Sequence, residues 1–83
     1  MEAIQQTIHR KIVELARALG RDAHGLRSGD DIPSSGCLDS PALMELIIWC
    51  ETEFGIEIDQ DQLTLDNFGT IEAMTAFIKG AQG

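Results

Sequence analysis

Apolar residues recur every three or four positions through the first quarter of the chain. The members of this stripe are Ile4, Ile8, Ile12, Leu15 and Leu19. Because an α-helix turns once per 3.6 residues, this spacing places them on one face, with glutamines and charged residues on the other. Gly20 follows as a common helix stop. The pattern predicts an amphipathic helix from Glu2 to about Leu19 with one buried stripe.

The periodicity is lost between Arg21 and Cys37, where the chain has three glycines, three serines and one proline. This composition predicts a long loop, with room for one short helical turn. Leu26 and Ile32 are its isolated apolar residues, and we expect them to fix it to the core. A loop of this length is uncommon in a small domain and often has a functional role.

A second helical pattern begins near Ser40 and is expected to run to about Phe54, with Gly55 as its stop. Asp39 and Ser40 are both favoured N-cap residue types. Pro41 suits the first helical turn, because the N–H that proline lacks has no partner there. Either Asp39 or Ser40 could be the cap.

This second helix has more apolar residues than one buried face requires. Its core-facing sector of about 100° holds Leu43, Leu46, Ile47, Cys50 and Phe54. Met44 and Ile48 lie to one side of that sector and Trp49 lies to the other. A bundle that surrounds the helix on several sides would bury all three. Alternatively, they form a docking face ringed by acidic residues, since exposed apolar clusters rimmed by charge mark interaction sites. Periodicity alone leaves both interpretations open.

The last third of the chain predicts one short helix and one longer helix. Ile56 and Ile58 alternate as in an extended segment, and Asp59 could cap a single turn that reaches Leu63. Leu65 and Phe68 are expected to be core anchors in a loop.

Thr70 is the expected N-cap of the final helix, which Gly80 is expected to end. Its buried face is expected to hold Ile71, Met74, Phe77 and Ile78. The fold class expected for residues 1–83 is therefore a single all-α domain. It is a small four-helix bundle of three main helices and one short helix, with a long loop after the first.

Length and charge narrow the functional classes. A chain of 83 residues has a thin core, which makes an enzyme acting alone improbable. The net charge of −8 argues against nucleic-acid binding. The charge is +2 over residues 1–27 and −10 over residues 28–83, so the acidic part would attract basic partner surfaces.

Location and redox chemistry can also be predicted from the sequence. No apolar run is long enough to span a membrane, and the first residues lack the apolar centre of a signal peptide. We therefore expect a cytoplasmic protein without membrane insertion, and we also expect it to be a monomer. Cys37 and Cys50 are expected to be free thiols, and no cluster has the spacing of metal ligands.

Ser40 has two possible roles. A serine that precedes a helix is most often a cap. The other role is to accept a phosphate ester, which the amides and dipole of a helix N-terminus would stabilise. Asp39 would then supply a metal-binding carboxylate during the transfer.

Several short motifs at characteristic spacing indicate a known family. They are Gly36, Leu38-Asp39-Ser40, Glu45-Leu46, Glu53-Phe54-Gly55, Ile56-Glu57-Ile58 and the last helix from Thr70-Ile71 to Phe77-Ile78. In these motifs and in element order, the chain resembles the phosphopantetheine-carrying proteins, which include acyl carrier proteins and their aminoacyl and D-alanyl carrier relatives. The Leu38-Asp39-Ser40 motif resembles that of the aminoacyl and D-alanyl carriers more than that of the carriers of fatty-acid synthesis.

The resemblance implies a fold of the acyl-carrier-protein type and a carrier that is not itself an enzyme. Ser40 would hold 4'-phosphopantetheine from coenzyme A, with Asp39 assisting the modification, and the arm would carry an acyl or aminoacyl group as a thioester. The implied partners are a phosphopantetheinyl transferase, an acyl- or amino-acid-activating ligase and a downstream acyltransferase or synthase. The implied docking residues are Pro41, Met44, Glu45, Ile48 and Glu51.

Two residues depart from the family pattern. Pro41 stands where the family usually has a leucine or methionine that contacts the modifying enzyme, and Trp49 stands where related carriers have a small or polar residue. Pro41 keeps an alternative function open, namely an acidic helical interaction module without a prosthetic group. A calcium loop near Asp59 and a serine hydrolase site are both excluded, because their required residues are missing.

Overall fold

The computed structural model describes residues 3–82, and these form an all-helical bundle with five helices. The helices are α1 (Ala3–Ala18), α2 (Ile32–Ser35), α3 (Ser40–Phe54), α4 (Leu65–Phe68) and α5 (Ile71–Gln82). A single 3₁₀ turn, Gln60–Gln62, precedes α4. The predicted all-α fold, with a long segment after the first helix, is confirmed.

Helix α1 buries Ile8, Ile12 and Leu15 as the sequence predicts. The prediction for Leu19 is wrong, because this side chain is 40% exposed. The helix ends at Ala18, and Gly20 takes a left-handed φ of 75° in the turn that follows. The predicted first residue, Glu2, lies outside the described residues.

The long segment after α1 is fixed to the rest of the bundle by main-chain hydrogen bonds. The Ile32 N–H donates to the Gly69 carbonyl at 2.7 Å, and the Glu72 N–H donates to the Ser28 carbonyl at 2.9 Å. Leu26 and Ile32 are buried, as predicted. The segment therefore packs against the α4–α5 junction.

Helix α3 packs against α1, and its buried residues are Ala42, Leu46, Ile47 and Cys50. By contrast, Leu43 and Phe54, which the sequence also assigned to the core face, are half-buried. Gly55 ends the helix with a left-handed φ of 63°, as its position predicts.

Two predictions in the last third of the chain are wrong. Leu65 and Phe68 lie in a helical turn rather than a loop, because Thr64 accepts a hydrogen bond from the Asn67 N–H and caps α4. Phe68 is buried, but Leu65, at the first position of this turn, is 62% exposed.

Helix α5 begins as predicted and ends later than predicted. Thr70 Oγ1 accepts a hydrogen bond from the Ala73 N–H at 3.0 Å, which confirms Thr70 as a cap. Gly80 does not end the helix, which continues to Gln82. Gly80 does not adopt a positive φ, so its backbone can remain helical.

The core lies between α1, α3 and α5. Its completely buried side chains come from all three helices and include Ile8, Ile12, Leu46, Cys50, Met74 and Ile78. Within residues 3–82, no helix is long and apolar enough to cross a membrane.

Candidate functional site

Ser40 is the first residue of α3, and its side chain is exposed. The cap of this helix is Asp39, which has an extended backbone (φ −88°, ψ 178°) and accepts a hydrogen bond from the Ala42 N–H at 2.9 Å. This settles the question that the sequence left open. The capping carboxylate belongs to Asp39, so Ser40 is not required as a cap.

Two buried residues fix the position of Ser40. Leu38 is 4% exposed on the side of the preceding loop, and Ala42 is 9% exposed on the side of the helix. The Asp39 carbonyl also accepts a hydrogen bond from the Leu43 N–H at 2.9 Å. The backbone at Ser40 is therefore held between two anchors, while its hydroxyl group faces outward.

The backbone amides at the start of α3 can donate fewer hydrogen bonds to a phosphate than the sequence suggested. Pro41 has no N–H, and the Ala42 N–H already donates to Asp39. The positive end of the dipole of this 15-residue helix remains at the site. Electrostatic stabilisation of a phosphate on Ser40 would come mainly from that dipole, and the neighbouring Asp39 carboxylate would oppose it.

An apolar groove lies beside Ser40, between α2, α3 and α4. It has a volume of about 460 Å³ and is lined by Pro33, Leu38, Asp39, Ser40, Leu43 and Leu65. A second depression of about 160 Å³ shares Leu43 and Leu65 with it and extends toward Phe68. The two depressions form a largely apolar path that begins at the Ser40 side chain.

The structure brings three of the predicted docking residues together on the outer face of α3. Met44 is 44% exposed and Ile48 is 57% exposed, and Glu45 is exposed beside them. Met44 and Ile48 are four positions apart and so occupy one strip of the helix. The interpretation that the bundle buries these two residues is wrong. Pro41 is also exposed, one turn before Glu45.

Glu51, three positions after Ile48, continues this strip toward the end of α3, whereas Trp49 lies on another side of the helix. Glu51 is half-buried, and its Oε2 accepts a hydrogen bond from the Ile58 N–H at 2.9 Å, so it fixes the segment after α3. Trp49 is half-buried beneath α1, with the Lys11 Nζ 5.6 Å from its ring centroid. The Trp49 and Phe54 rings also meet edge to face, with centroids 5.8 Å apart.

Leu19 and Leu65 are surface residues near Ser40 that the sequence analysis placed in the core. The sequence does hold a signal for Leu65, because Thr64 is a favoured N-cap type and would make Leu65 the first residue of a helical turn. Over residues 3–82, no group of three or more histidine, cysteine, aspartate or glutamate side chains could hold a metal ion.

Comparison with known proteins agrees with these observations. The family model described as "Phosphopantetheine attachment site" matches residues 12–78, which include all of α3 and Ser40. No curated protein matches the chain. The chain thus belongs to the phosphopantetheine-attachment family and is an acyl-carrier-like protein, as the resemblance implied. The prosthetic group of this family is covalently bound 4'-phosphopantetheine, and carrier domains of this kind are generally non-catalytic.

Proposed function

We propose that Ser40 is the attachment residue and that the chain carries an acyl or aminoacyl group as a thioester. The observation that supports this most strongly is the exposed serine side chain at the first residue of α3, with Asp39 as the separate cap. The other serines are less suitable. Ser28 is half-buried, and the Ser35 hydroxyl donates to the Ile32 carbonyl at 2.6 Å. Ser34 is exposed but lies in the short helix α2.

The attachment reaction uses the hydroxyl group of Ser40 as the nucleophile. Its Oγ forms a bond to the phosphorus nearest the pantetheine, while the phosphoanhydride bond of coenzyme A breaks. Adenosine bisphosphate leaves with the electron pair of that bond. The hydroxyl proton passes to a base of the transferase. The exposed position of Ser40 allows an enzyme to approach for this step.

Asp39 has a second role in this proposal. Its Oδ1 accepts the Ala42 N–H, and a carboxylate has a further oxygen that can bind another partner. During the transfer, that second oxygen would bind a divalent metal ion held mainly by the transferase. Magnesium, which is commonly bound through one or two carboxylates plus substrate phosphates, suits such an arrangement.

The residues around Ser40 fit a phosphopantetheine arm. Pro33, Leu43 and Leu65 offer apolar surface along the groove that begins at Ser40. When bound, the arm supplies a terminal thiol that forms a thioester with the cargo. The cargo would come from an activating ligase and pass to an acyltransferase or synthase.

We further propose that partner enzymes dock on the outer strip of α3. Met44 and Ile48 provide exposed apolar side chains, and the exposed Glu45 lies to one side of them. Acidic residues at the edge of an apolar contact attract basic partner surfaces and speed association more than they strengthen binding. Such complexes can form and separate quickly, which suits a carrier that visits several enzymes.

The test is the intact mass of the chain after incubation with coenzyme A and a broad-specificity phosphopantetheinyl transferase. We expect the wild type and Ser34→Ala to gain one phosphopantetheinyl group and Ser40→Ala to gain none. No mass gain on the wild type, or full modification of Ser40→Ala, would contradict the proposal. Partners retained equally by wild type and Ser40→Ala would instead favour an interaction module without a prosthetic group.

A further inference from the structure

A second groove flanks the start of α3 on the side opposite the α4 groove. It has a volume of about 220 Å³ and lies where the end of α1 meets the start of α3. The buried side chains of Leu15 and Ala42 form its floor, and the exposed side chains of Leu19 and Pro41 form its walls. We call this the Leu19 groove.

The Leu19 groove has a rigid apolar wall and an acidic rim. The Leu19 N–H donates to the Ala16 carbonyl at 2.9 Å, and the left-handed turn at Gly20 follows directly, so the Leu19 backbone is fixed. Pro41 has a fixed φ of its own. The rim carries Asp39 and Glu45, which are both exposed. Because the backbone at both apolar positions is already fixed, a partner that covers them loses less conformational entropy than it would on a flexible loop.

The two grooves share Asp39 but differ in their relation to Ser40. Ser40 lines the α4 groove, whereas its neighbour Pro41 lines the Leu19 groove. An arm attached to Ser40 would therefore lie toward Leu65 and leave the Leu19 groove uncovered. An enzyme that reaches the Ser40 hydroxyl must approach within bonding distance, and it then covers the adjacent Asp39 and Pro41.

We infer that the Leu19 groove is the recognition surface for the phosphopantetheinyl transferase and receives an apolar side chain flanked by basic groups. The inference rests on the proposed attachment at Ser40. The apolar contact fits Leu19 and Pro41, and the basic groups fit the Asp39 and Glu45 carboxylates on the rim. Leu19, in the turn that follows α1, supplies apolar contact surface beside Pro41.

The test compares Leu19→Asp with Ala76→Asp, which adds the same charge at an exposed site on α5. The measured quantity is kcat/KM for incorporation of phosphopantetheine from coenzyme A by a broad-specificity transferase. We expect Leu19→Asp to lower kcat/KM about tenfold, mainly through a higher KM, since a charge at the centre of an apolar contact is costly. Ala76→Asp is expected to stay within about twofold of the wild type. Equal values for the two variants would overturn the inference.

A direct binding experiment keeps the inference testable if Leu19→Asp fails to fold. Unlabelled transferase is added to ¹⁵N-labelled Ser40→Ala, which cannot be modified at position 40. We expect the largest amide shifts at Ala18, Leu19 and Ala42. Shifts confined to α5, or to the Met44–Ile48 strip of α3, would overturn the inference. A wild type that gains no phosphopantetheinyl mass would contradict the attachment proposal itself, whereas normal modification of a folded Leu19→Asp contradicts only the role of the Leu19 groove.

Discussion

At the scale of single residues, Asp39 and Ser40 are adjacent but face different partners. The Asp39 carboxylate accepts the Ala42 N–H within the chain, while the Ser40 side chain is exposed to solvent. The structural role of Asp39 is therefore visible, and its role in modification is a proposal. The two roles depend on different chemical properties, since capping needs only an acceptor oxygen and metal binding needs a charged carboxylate.

Substitutions of Asp39 can separate these two roles. Asp39→Ala removes the cap and is expected to lower the free energy of unfolding by about 1 kcal/mol, measured by urea denaturation. Asp39→Asn keeps an acceptor oxygen and is expected to retain wild-type stability within about 0.5 kcal/mol, while phosphopantetheine incorporation slows about tenfold or more. Rapid modification of Asp39→Asn would show that the charge of Asp39 has no part in the transfer.

The two cysteines differ in burial and should differ in reactivity. Cys50 is completely buried in α3, and burial raises the pKa of its thiol from 9.0 to about 12. Cys37 is half-buried in the loop before Ser40. At pH 8 we expect a thiol reagent to modify Cys37 readily and Cys50 only after denaturation. Two rapidly reacting thiols in the folded wild type, or a rapid reaction in Cys37→Ala, would contradict this assignment.

The raised pKa of Cys50 also predicts how stability depends on pH. The unfolded chain loses this thiol proton near pH 9, whereas the folded chain keeps it until about pH 12. The stabilisation is therefore complete below pH 9 and is lost as the pH rises toward 12. Urea denaturation across this range should show a steeper loss of stability in the wild type than in Cys50→Ala.

At the scale of helices, α3 has apolar side chains on three sides. One side is buried in the core, the Met44–Ile48 strip faces outward, and Trp49 packs against α1 and Phe54. This arrangement explains why α3 has more apolar residues than its core-facing stripe requires. Trp49 has a structural role, because the Lys11 cation lies over its ring.

The contribution of the Lys11–Trp49 contact can be measured against a matched change on the same helix. Lys11→Ala removes the contact and is expected to lower the free energy of unfolding by about 0.5 to 1 kcal/mol. Lys11 also pairs with Glu14 at 3.5 Å, but Glu14 is mostly exposed, and such surface pairs contribute little. Glu14→Ala should therefore cost less than Lys11→Ala in urea denaturation. Equal losses would assign the effect to the ion pair.

The junction between α4 and α5 requires glycine at position 69. A Cβ on Gly69 would lie 2.5 Å from the Leu65 carbonyl oxygen. Gly69→Ala is therefore expected to lower the free energy of unfolding by about 1 to 3 kcal/mol. Gly80 lies within α5 and has open space around it, so Gly80→Ala should raise stability by up to about 1 kcal/mol. Thermal denaturation of both variants checks the opposite signs, and a stabilised Gly69→Ala would refute the account of the junction.

At the scale of the whole molecule, the long periodic helices were predictable and their ends were less so. The cores of α1, α3 and α5 follow repeating apolar positions, which the sequence displays directly. Leu19 was misplaced because it continues the apolar period of α1 although the helix ends at Ala18, and Leu65 was misplaced because a four-residue helix is too short to show a period. Gly80 was misjudged because glycine permits a helix to end without requiring it.

The candidate site was predictable in its residues but not in its surroundings. The Leu38-Asp39-Ser40 motif and the start of α3 follow from residue type and spacing. The grooves on either side of Ser40 could not be predicted, because each combines residues distant in sequence, such as Leu19 with Pro41 and Leu43 with Leu65. The docking role of Glu51 stays a prediction, and the hydrogen bond that its carboxylate accepts from the Ile58 N–H could not be predicted from the sequence.

The central claim is that one particular hydroxyl group carries the prosthetic group. The most direct test is fragmentation mass spectrometry of peptides from the wild-type chain after reaction with coenzyme A and a phosphopantetheinyl transferase. The account predicts that the phosphopantetheinyl mass is found on the peptide that contains Ser40, and that fragment ions assign it to that residue. Assignment to Ser28, Ser34 or Ser35, or a chain with no modified peptide, would contradict it.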